Sequence, residues 1–168
     1  MTKTLWTPWR MAYVEGREGR KDGCLFCIEG GQNHDKNELL LYRDDTVSVL
    51  MNRFPYANGH LLVAPARHLA DITDLDEKEL GALMRIIQKS VTILRAHLKP
   101  HGFNVGLNLG ETAGAGIAAH LHWHIVPRWD GDHNFMTVLA EVRTVPEHIE
   151  NTFDRLLPDF QNIARQER

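Results

Sequence analysis

The sequence predicts an α+β fold in which an antiparallel sheet packs against one long helix and a C-terminal helix. Short apolar segments separated by turn residues follow one another along the chain, and strands joined by short turns pair antiparallel. One longer stretch repeats apolar residues at three- and four-residue steps, which is typical of a helix with one buried face. The chain has 168 residues, of which 43% are hydrophobic, so we expect a single domain over residues 1–168.

The strands are predicted where β-branched and aromatic residues lie between turn signals. Asp44 and Asp45 mark one turn, and Pro55, Asn58 and Gly59 mark a second. Around residue 105, apolar and polar side chains alternate, which indicates a strand with one buried face. The predicted strands cover residues 39–43, 47–52, 60–66, 103–109 and 120–129.

The long helix is predicted to start after Asp74 or Asp76, either of which can cap it, and to end before Pro100. We expect its apolar stripe to be buried against the sheet as part of the core. The residues of this stripe are Leu80, Leu83, Met84, Ile87, Val91, Leu94 and Leu98.

The two ends of the chain differ from the middle. Residues 1–22 lack periodicity and are rich in aromatics, which predicts an irregular arm docked on the domain or on a partner subunit. Residues 130–168 form a C-terminal extension with a helix that begins near Pro146, since proline suits the first turn of a helix. The apolar residues of that helix are Ile149, Phe153, Leu156 and Leu157.

Composition and charge exclude several classes of protein. The net charge of −3 argues against a nucleic-acid polymer as partner, because such proteins need a basic surface. The longest apolar runs are too short to span a bilayer, and the first residues lack the apolar stretch of a signal peptide. We therefore expect a cytoplasmic protein without a membrane segment.

The strongest motif is HLHWHIVPRW, residues 120–129, in which His120, His122 and His124 occupy alternate positions. On a strand their imidazoles lie on one face, while Leu121, Trp123 and Ile125 point into the core. Neighbouring like charges disfavour protonation, so at least one imidazole should be neutral at pH 7. A neutral imidazole can act as nucleophile, general base or metal ligand.

A second motif, CLFC, places Cys24 and Cys27 two residues apart. Such a pair can bind a metal, form a redox couple or be two ordinary thiols. Glycines surround the motif in place of the strand and helix of a thioredoxin-like site, and the chain contains ten histidines as further ligands. Zinc binding is therefore the favoured interpretation.

These motifs resemble those of the histidine-triad (HIT) family. HLHWHIV matches the family's alternation of histidine and apolar residues, and NRFPYANGHLLVAPARH is similar to its upstream segment. The opening LWTPWRMAYV, the CLFC motif and the tail PRWDGDHNF most resemble the bacterial branch that contains diadenosine tetraphosphate phosphorylases. The resemblance implies an antiparallel sheet with two helices, a homodimer, and nucleotidyl transfer or hydrolysis at the α-phosphate of a nucleotide.

The resemblance also assigns roles to individual residues. It implies that His122 is the nucleophile and forms a nucleotidyl-histidine intermediate. It implies that His124 binds phosphoryl oxygens or protonates the leaving group, and that His60 supports the nucleophile through a hydrogen bond that fixes its tautomer. Asn52 corresponds to a position near the ribose, and Asn108 to a position near the phosphates.

The loop before the triad is expected to offer backbone N–H groups to phosphates, since glycine permits close approach. Its residues are Gly114, Ala115 and Gly116. In the phosphorylases this loop reads Gly-Gly-Ser, so the chain lacks a serine hydroxyl that could bind an incoming phosphate. Phosphorolysis and hydrolysis therefore both stay open.

By the same resemblance, members with CxxC bind a structural zinc ion. Carried over to this chain, the ligands are Cys24, Cys27, His68 and His120. Such a four-ligand set has no vacant position for substrate. The five remaining histidines are expected at the surface.

Three hypotheses follow. The first is a nucleotidyl-histidine enzyme that acts on dinucleoside polyphosphates or related nucleotide conjugates. The second is a nucleotide-binding module without catalysis, and the third is a metalloenzyme with its metal held by the three triad histidines. Four aromatic residues are candidates for stacking on a base, although packing is the favoured interpretation of each: Trp6, Trp9, Tyr56 and Trp129.

Overall fold

The computed structural model describes residues 23–27, 34–132 and 147–166. Its five strands form one antiparallel sheet in the order β1-β2-β3-β5-β4. Two α-helices pack against this sheet, so the predicted α+β architecture is confirmed. The strands are β1 (Leu40–Arg43), β2 (Val47–Met51), β3 (Leu61–Pro65), β4 (Gly102–Leu107) and β5 (Trp123–Arg128).

The turn between β1 and β2 lies where Asp44 and Asp45 predict it. The carboxylate of Asp44 accepts hydrogen bonds from the backbone amides of Thr46 and Val47, each at 2.7 Å. An aspartate in this position satisfies amides that the turn would otherwise leave unpaired. The hydrogen bonds of the Asp44 side chain therefore stabilise the hairpin of β1 and β2.

Helix α1, Glu77–Leu98, is capped at its N-terminus by Asp76 and not by Asp74. The side chain of Asp76 accepts a bond from the amide of Glu79, and the Glu79 carboxylate accepts one from the amide of Asp76. Two otherwise unpaired helix amides are thereby satisfied. Asp74 instead ends a short 3-10 helix, Ile72–Asp74.

The buried face of α1 is rotated relative to the predicted stripe. Leu80 and Met84 were expected in the core but are 41% and 43% exposed. Successive helical residues turn by about 100°, so these two lie on the flank of a face centred near Ile86 and Ser90. The buried residues of α1 are Leu83, Ile86, Ile87, Ser90, Ile93 and Leu94.

Helix α2, Ile149–Gln166, confirms the predicted C-terminal helix. Phe153 and Leu156 are buried as expected, and Phe160 and Ile163 continue the same face. This face packs against β1 and α1. The predicted start near Pro146 lies outside the described residues, as does the N-terminal arm over residues 1–22.

The sheet has two different faces. The helices cover one face, where the larger core lies. On the other face a smaller cluster gathers Phe26 with four sheet residues, Leu40, Leu50, Leu62 and Ala64. His124 is directly opposite Leu62 on β3 and Gly106 on β4, so it lies on this second face.

The strand predicted over residues 120–129 is shorter than expected. Leu121, Trp123 and Ile125 are buried in the core as predicted, but β5 starts only at Trp123. The amide of Leu121 donates to the carbonyl of Leu69 at 2.7 Å, beyond the end of β3. His120 and His122 therefore lie in an extended segment that leads into the strand.

Among the described residues, neither helix is long and apolar enough to cross a membrane.

Candidate active site and metal centre

His122 is held in one tautomer by the chain that carries it. Its Nδ1 lies 2.8 Å from the carbonyl oxygen of His120, and a carbonyl can only accept a hydrogen bond. Nδ1 therefore carries the proton. In the neutral ring, Nε2 then has a free lone pair.

Burial keeps this ring neutral. His122 is 5% exposed, and burial lowers the pKa of its imidazole because the charged form loses hydration. The hydrogen bond to the His120 carbonyl acts in the opposite direction and is the smaller effect. A neutral imidazole with a free Nε2 is a competent nucleophile towards phosphorus.

His60 and His124 form a directed hydrogen-bonded pair. The backbone amide of Tyr56 donates to Nδ1 of His60 at 3.1 Å, so that nitrogen is an acceptor and Nε2 carries the proton. Nε2 of His60 lies 3.0 Å from Nδ1 of His124 and donates to it. Neutral His124 therefore carries its own proton on Nε2, where it can donate to a ligand. The resemblance implied that His60 fixes the tautomer of the nucleophile, but the His120 carbonyl does this for His122, and His60 orients His124.

Asn52 belongs to the turn around His60. Its Oδ1 accepts a bond from the amide of Phe54 at 3.0 Å, and its Nδ2 lies 3.3 Å from Nδ1 of His60. Both ends of the amide thus contact the turn. Contact with a ribose, which the family resemblance implies, stays a prediction.

The loop that contains Gly114, Ala115 and Gly116 is stabilised by hydrogen bonds between its own backbone groups. Gly114 has φ +92°, and its amide donates to the carbonyl of Glu111, while the amide of Ala115 donates to the carbonyl of Gly110. The side chain of Asn108 contacts this loop through a long bond of 3.4 Å to the Gly114 carbonyl. Binding of phosphate by Asn108 and by residues 114–116 stays a prediction.

Cys24, Cys27, His68 and His120 come together although 96 positions separate the first from the last. One potential ligand atom from each residue lies within 4.8 Å of all the others. Sγ of Cys24 is 3.2 Å from Nδ1 of His120, and Sγ of Cys27 is 3.2 Å from Nδ1 of His68. The set predicted from the resemblance is thus one group in space.

The orientation of His120 suits a metal ligand. Its Nε2 donates to the carbonyl of Pro65 at 3.0 Å, which leaves Nδ1 unprotonated and directed at the two thiols. Burial is the largest cause that lowers its pKa, and a neutral ring is the form that binds metals. Ligands of a tetrahedral zinc ion lie about 3.3 to 3.8 Å apart. Three sulfur–nitrogen distances of 3.2, 3.2 and 3.7 Å in this group are close to that range.

The three triad histidines do not converge on a common point. His120 is directed at the cysteines, His122 bonds to the backbone, and His124 bonds to His60. Within the described parts of the chain, the cysteine–histidine group is the one set able to hold a metal. This arrangement counts against a catalytic metal on the triad.

Two aromatic residues pack against the histidines of the site. Phe26, between the two cysteines, packs its ring 5.1 Å from that of His120 and 5.0 Å from that of His122, a contact that the sequence analysis missed. Tyr56, for which packing was the favoured interpretation, packs 4.8 Å from the ring of His60. The sequence did contain a signal for Phe26, because it lies between Cys24 and Cys27. If both cysteines bind one metal, the position of Phe26 is restricted as well.

The comparisons with known proteins agree with this geometry. The HIT domain model matches residues 33–131, which include both the turn around His60 and the triad. The chain is 38% identical over 154 residues to the AP-4-A phosphorylase of Mycobacterium tuberculosis H37Rv, covering 88% of this chain and 79% of that protein. The family-model match and the similarity to this relative show that the chain belongs to the HIT family.

Solved structures show the same fold. A hypothetical histidine triad nucleotide-binding protein from Sulfolobus tokodaii superposes with a TM-score of 0.63 at 24% identity, covering 85% of this chain and 95% of that one. A zinc-bound histidine triad family protein from Mycobacterium smegmatis gives a TM-score of 0.60 at 25% identity, over 76% and 87% of the two chains.

Proposed function

We propose that this protein cleaves dinucleoside polyphosphates, or related nucleotide conjugates, at the α-phosphate through a nucleotidyl intermediate on His122. The observation that carries the proposal is the bond from Nδ1 of His122 to the His120 carbonyl, which frees Nε2 for attack. The similarity to a protein named AP-4-A phosphorylase supports a substrate such as diadenosine tetraphosphate.

The proposed reaction has two displacements at one phosphorus atom. Nε2 of His122 forms a bond to the α-phosphorus, and the bond to the bridging oxygen breaks, releasing a nucleoside polyphosphate. Nε2–H of His124 donates to the oxygens on which charge develops. Water or phosphate then attacks the same phosphorus, and the bond to His122 breaks.

Either acceptor is compatible with the loop before the triad. Water would convert diadenosine tetraphosphate to AMP and ATP, whereas phosphate would give ADP and ATP. Ala115 and Gly116 offer no hydroxyl to an incoming phosphate. We therefore propose that the second step is either hydrolysis by water or phosphorolysis by phosphate.

The direct experiment incubates the protein with diadenosine tetraphosphate, with and without inorganic phosphate, and identifies the products. ADP formed only with phosphate supports phosphorolysis, and AMP formed without it supports hydrolysis. His122→Ala should abolish both, whereas His101→Ala, at an exposed histidine paired with Asp130, should not. Unchanged turnover by His122→Ala would remove His122 from the mechanism.

The main alternative is a nucleotide-binding module without catalysis. It predicts tight binding of nucleotides by the wild-type protein and no turnover of any dinucleoside polyphosphate or nucleotide conjugate. The pre-set tautomers of His122 and His124 favour the enzyme, because binding alone does not need a free imidazole lone pair.

We also propose that Cys24, Cys27, His68 and His120 bind a structural zinc ion. The fit of the donor atoms and the zinc-bound relative support this assignment. With four protein ligands, the ion would join the CLFC segment to the triad and take no part in the chemistry. A metal held by thiolates suits a reducing compartment, and we propose a cytoplasmic location.

We propose that the protein is a homodimer. Strand β4 forms one edge of the sheet, and its Val105 is 47% exposed. An apolar edge strand can pair with another chain unless it is covered. Leu80 and Met84 on α1 add further exposed apolar surface.

A further inference from the structure

Helix α2 lies outside the matched family domain but reaches the segment that carries His60. The HIT model matches residues 33–131, whereas α2 covers Ile149–Gln166. On α2, Thr152 is fully buried, and its Oγ1 lies 3.0 Å from Oδ1 of Asn58. Asn58 is two residues before His60, in residues 53–59, which we name the catalytic turn.

The hydroxyl of Thr152 is part of a small polar network. Its Oγ1 also lies 2.8 Å from Oε2 of Glu147, whose other carboxylate oxygen accepts a bond from Arg155. The hydroxyl has one proton, and this proton is shared between two acceptors, Oδ1 of Asn58 and Oε2 of Glu147. Because Thr152 is 0% exposed, water cannot replace these partners if they move away.

The catalytic turn is confined by its neighbours. Gly59 has φ +73°, and a Cβ atom at this position would lie 2.4 Å from Cδ1 of Leu98 and 3.6 Å from Pro127. The turn is thus held between the end of α1 and β5. Asn58, directly before Gly59, is the point at which α2 contacts it.

Helix α2 is itself fixed along its length. Asp154 pairs with Lys36 at 2.6 Å, Asp159 with His97 at 2.5 Å, and Gln161 bonds to His34 at 3.2 Å. Its apolar face is buried against β1 and α1. These contacts hold α2 in place, and α2 in turn holds Thr152 against the catalytic turn.

We propose that Thr152 is a positioning residue for the proposed reaction. By holding Asn58 it fixes the catalytic turn, whose Tyr56 amide sets the tautomer of His60. His60 in turn orients His124, the proposed donor to the phosphoryl oxygens. This inference rests on the proposed function and extends it to a helix outside the family domain.

The test replaces Thr152 by valine, which keeps the shape and removes the hydroxyl. We expect kcat for diadenosine tetraphosphate to fall about tenfold with KM changed less than about twofold, because a misplaced donor weakens the transition state more than binding. Thr152→Ser should restore kcat. Thr92→Val is the matched control, since among the described residues the Thr92 hydroxyl bonds within α1, to the Gln88 carbonyl.

A second readout is independent of turnover. The imidazole N–H proton shared by His60 and His124 should give an NMR resonance that broadens or shifts in Thr152→Val but not in Thr92→Val. Asn58→Ala removes the other partner of the contact and should give the same two changes.

Unchanged kcat and an unchanged resonance in Thr152→Val, even with a lower melting temperature, would overturn the positioning role. If the wild-type protein turns over no substrate, the proposed function fails. The resonance then still decides whether α2 positions the His60–His124 pair.

Discussion

At the level of single residues, hydrogen bonds to backbone groups set the tautomers of three histidines in the site. The Pro65 carbonyl sets the tautomer of His120, the His120 carbonyl that of His122, and the Tyr56 amide that of His60. In each neutral imidazole, these bonds determine which ring nitrogen carries the proton and which has the lone pair. The three alternate histidines have rings turned to different neighbours, which is why we propose different roles for them, metal binding for His120 and catalysis for His122 and His124.

Phe26 is the side chain that connects the two centres. It is 2% exposed and contacts the rings of both His120 and His122. Phe26→Ala should lower the free energy of unfolding in urea by about 3 kcal/mol, because it leaves a cavity in the smaller core. It should also lower kcat, since the nucleophile loses the ring that confines it.

The control for Phe26 is its neighbour Leu25, which is 41% exposed. Leu25→Ala should change the free energy of unfolding by less than about 0.5 kcal/mol. Equal effects of the two substitutions would show that Phe26 has no special packing role.

The family resemblance predicted that Cys24, Cys27, His68 and His120 come together, but residue types and spacing did not predict how the imidazole rings are oriented. The alternation of His120, His122 and His124 predicted one row of imidazoles on a strand. Phe26 of the smaller cluster does pack on His120 and His122, but the strand itself starts at Trp123. Before the strand, the amide of Leu121 bonds to Leu69, a long-range contact that no local pattern encodes. Likewise, nothing in the neighbourhood of Thr152 indicates its contact with Asn58.

At the level of elements, local signals predicted strands and helices well because their determinants are local. The Asp44 turn and the helix start near Asp76 follow from side chains bonding to nearby amides. The buried face of α1 was less predictable. Leu80 and Met84 fit the helical period, but the sheet covers a different side of the helix.

The start of α1 gives a prediction about acid stability. Hydrogen bonds from Arg67 and from the amide of Asp76 lower the pKa of Glu79 from 4.5 to about 2. Because the folded-state pKa is the lower one, the stabilisation is complete above pH 4.5 and is lost as the pH falls through about 2. Glu79→Gln should therefore cost about 1 to 2 kcal/mol at pH 7, with a smaller difference at pH 3.

Urea unfolding of both proteins at the two pH values measures this effect. Glu77→Gln is the control, an acidic residue in the same first turn. It should show a smaller cost at pH 7. A cost of Glu79→Gln that is the same at both pH values would contradict a role for its charge.

The proposed zinc site joins elements far apart in sequence. We expect one zinc ion per chain by elemental analysis, and its loss in Cys24→Ser. A chelator should lower the melting temperature, because binding free energy is also folding free energy at such a site. His101→Ala should retain the metal. Zinc that survives the loss of both cysteines would contradict the ligand set.

At the level of the whole molecule, the exposed edge of β4 predicts the oligomeric state. Val105→Glu places a charge on the apolar edge and should convert the dimer to a monomer in light scattering after gel filtration. Asp45→Lys, an exposed change in the turn at the other edge of the sheet, should leave the dimer intact. A wild-type monomer at all concentrations would contradict the proposal.

The architecture explains how these parts combine. One face of the sheet packs against both helices, which leaves the other for the histidine array and the CLFC segment. In the proposed site the metal would hold the segment that carries the nucleophile, and His60 in the turn before β3 orients the proposed donor, His124.

The most direct measurement for the central claim is the detection of a nucleotide on His122 during turnover. A reaction with diadenosine tetraphosphate is stopped with alkali within the first turnover, and the peptide that contains His122 is analysed by mass spectrometry. We predict a mass increase of one nucleotidyl group on His122, absent in His122→Ala. Full turnover with no adduct on this peptide, or an adduct on another residue, would contradict the account.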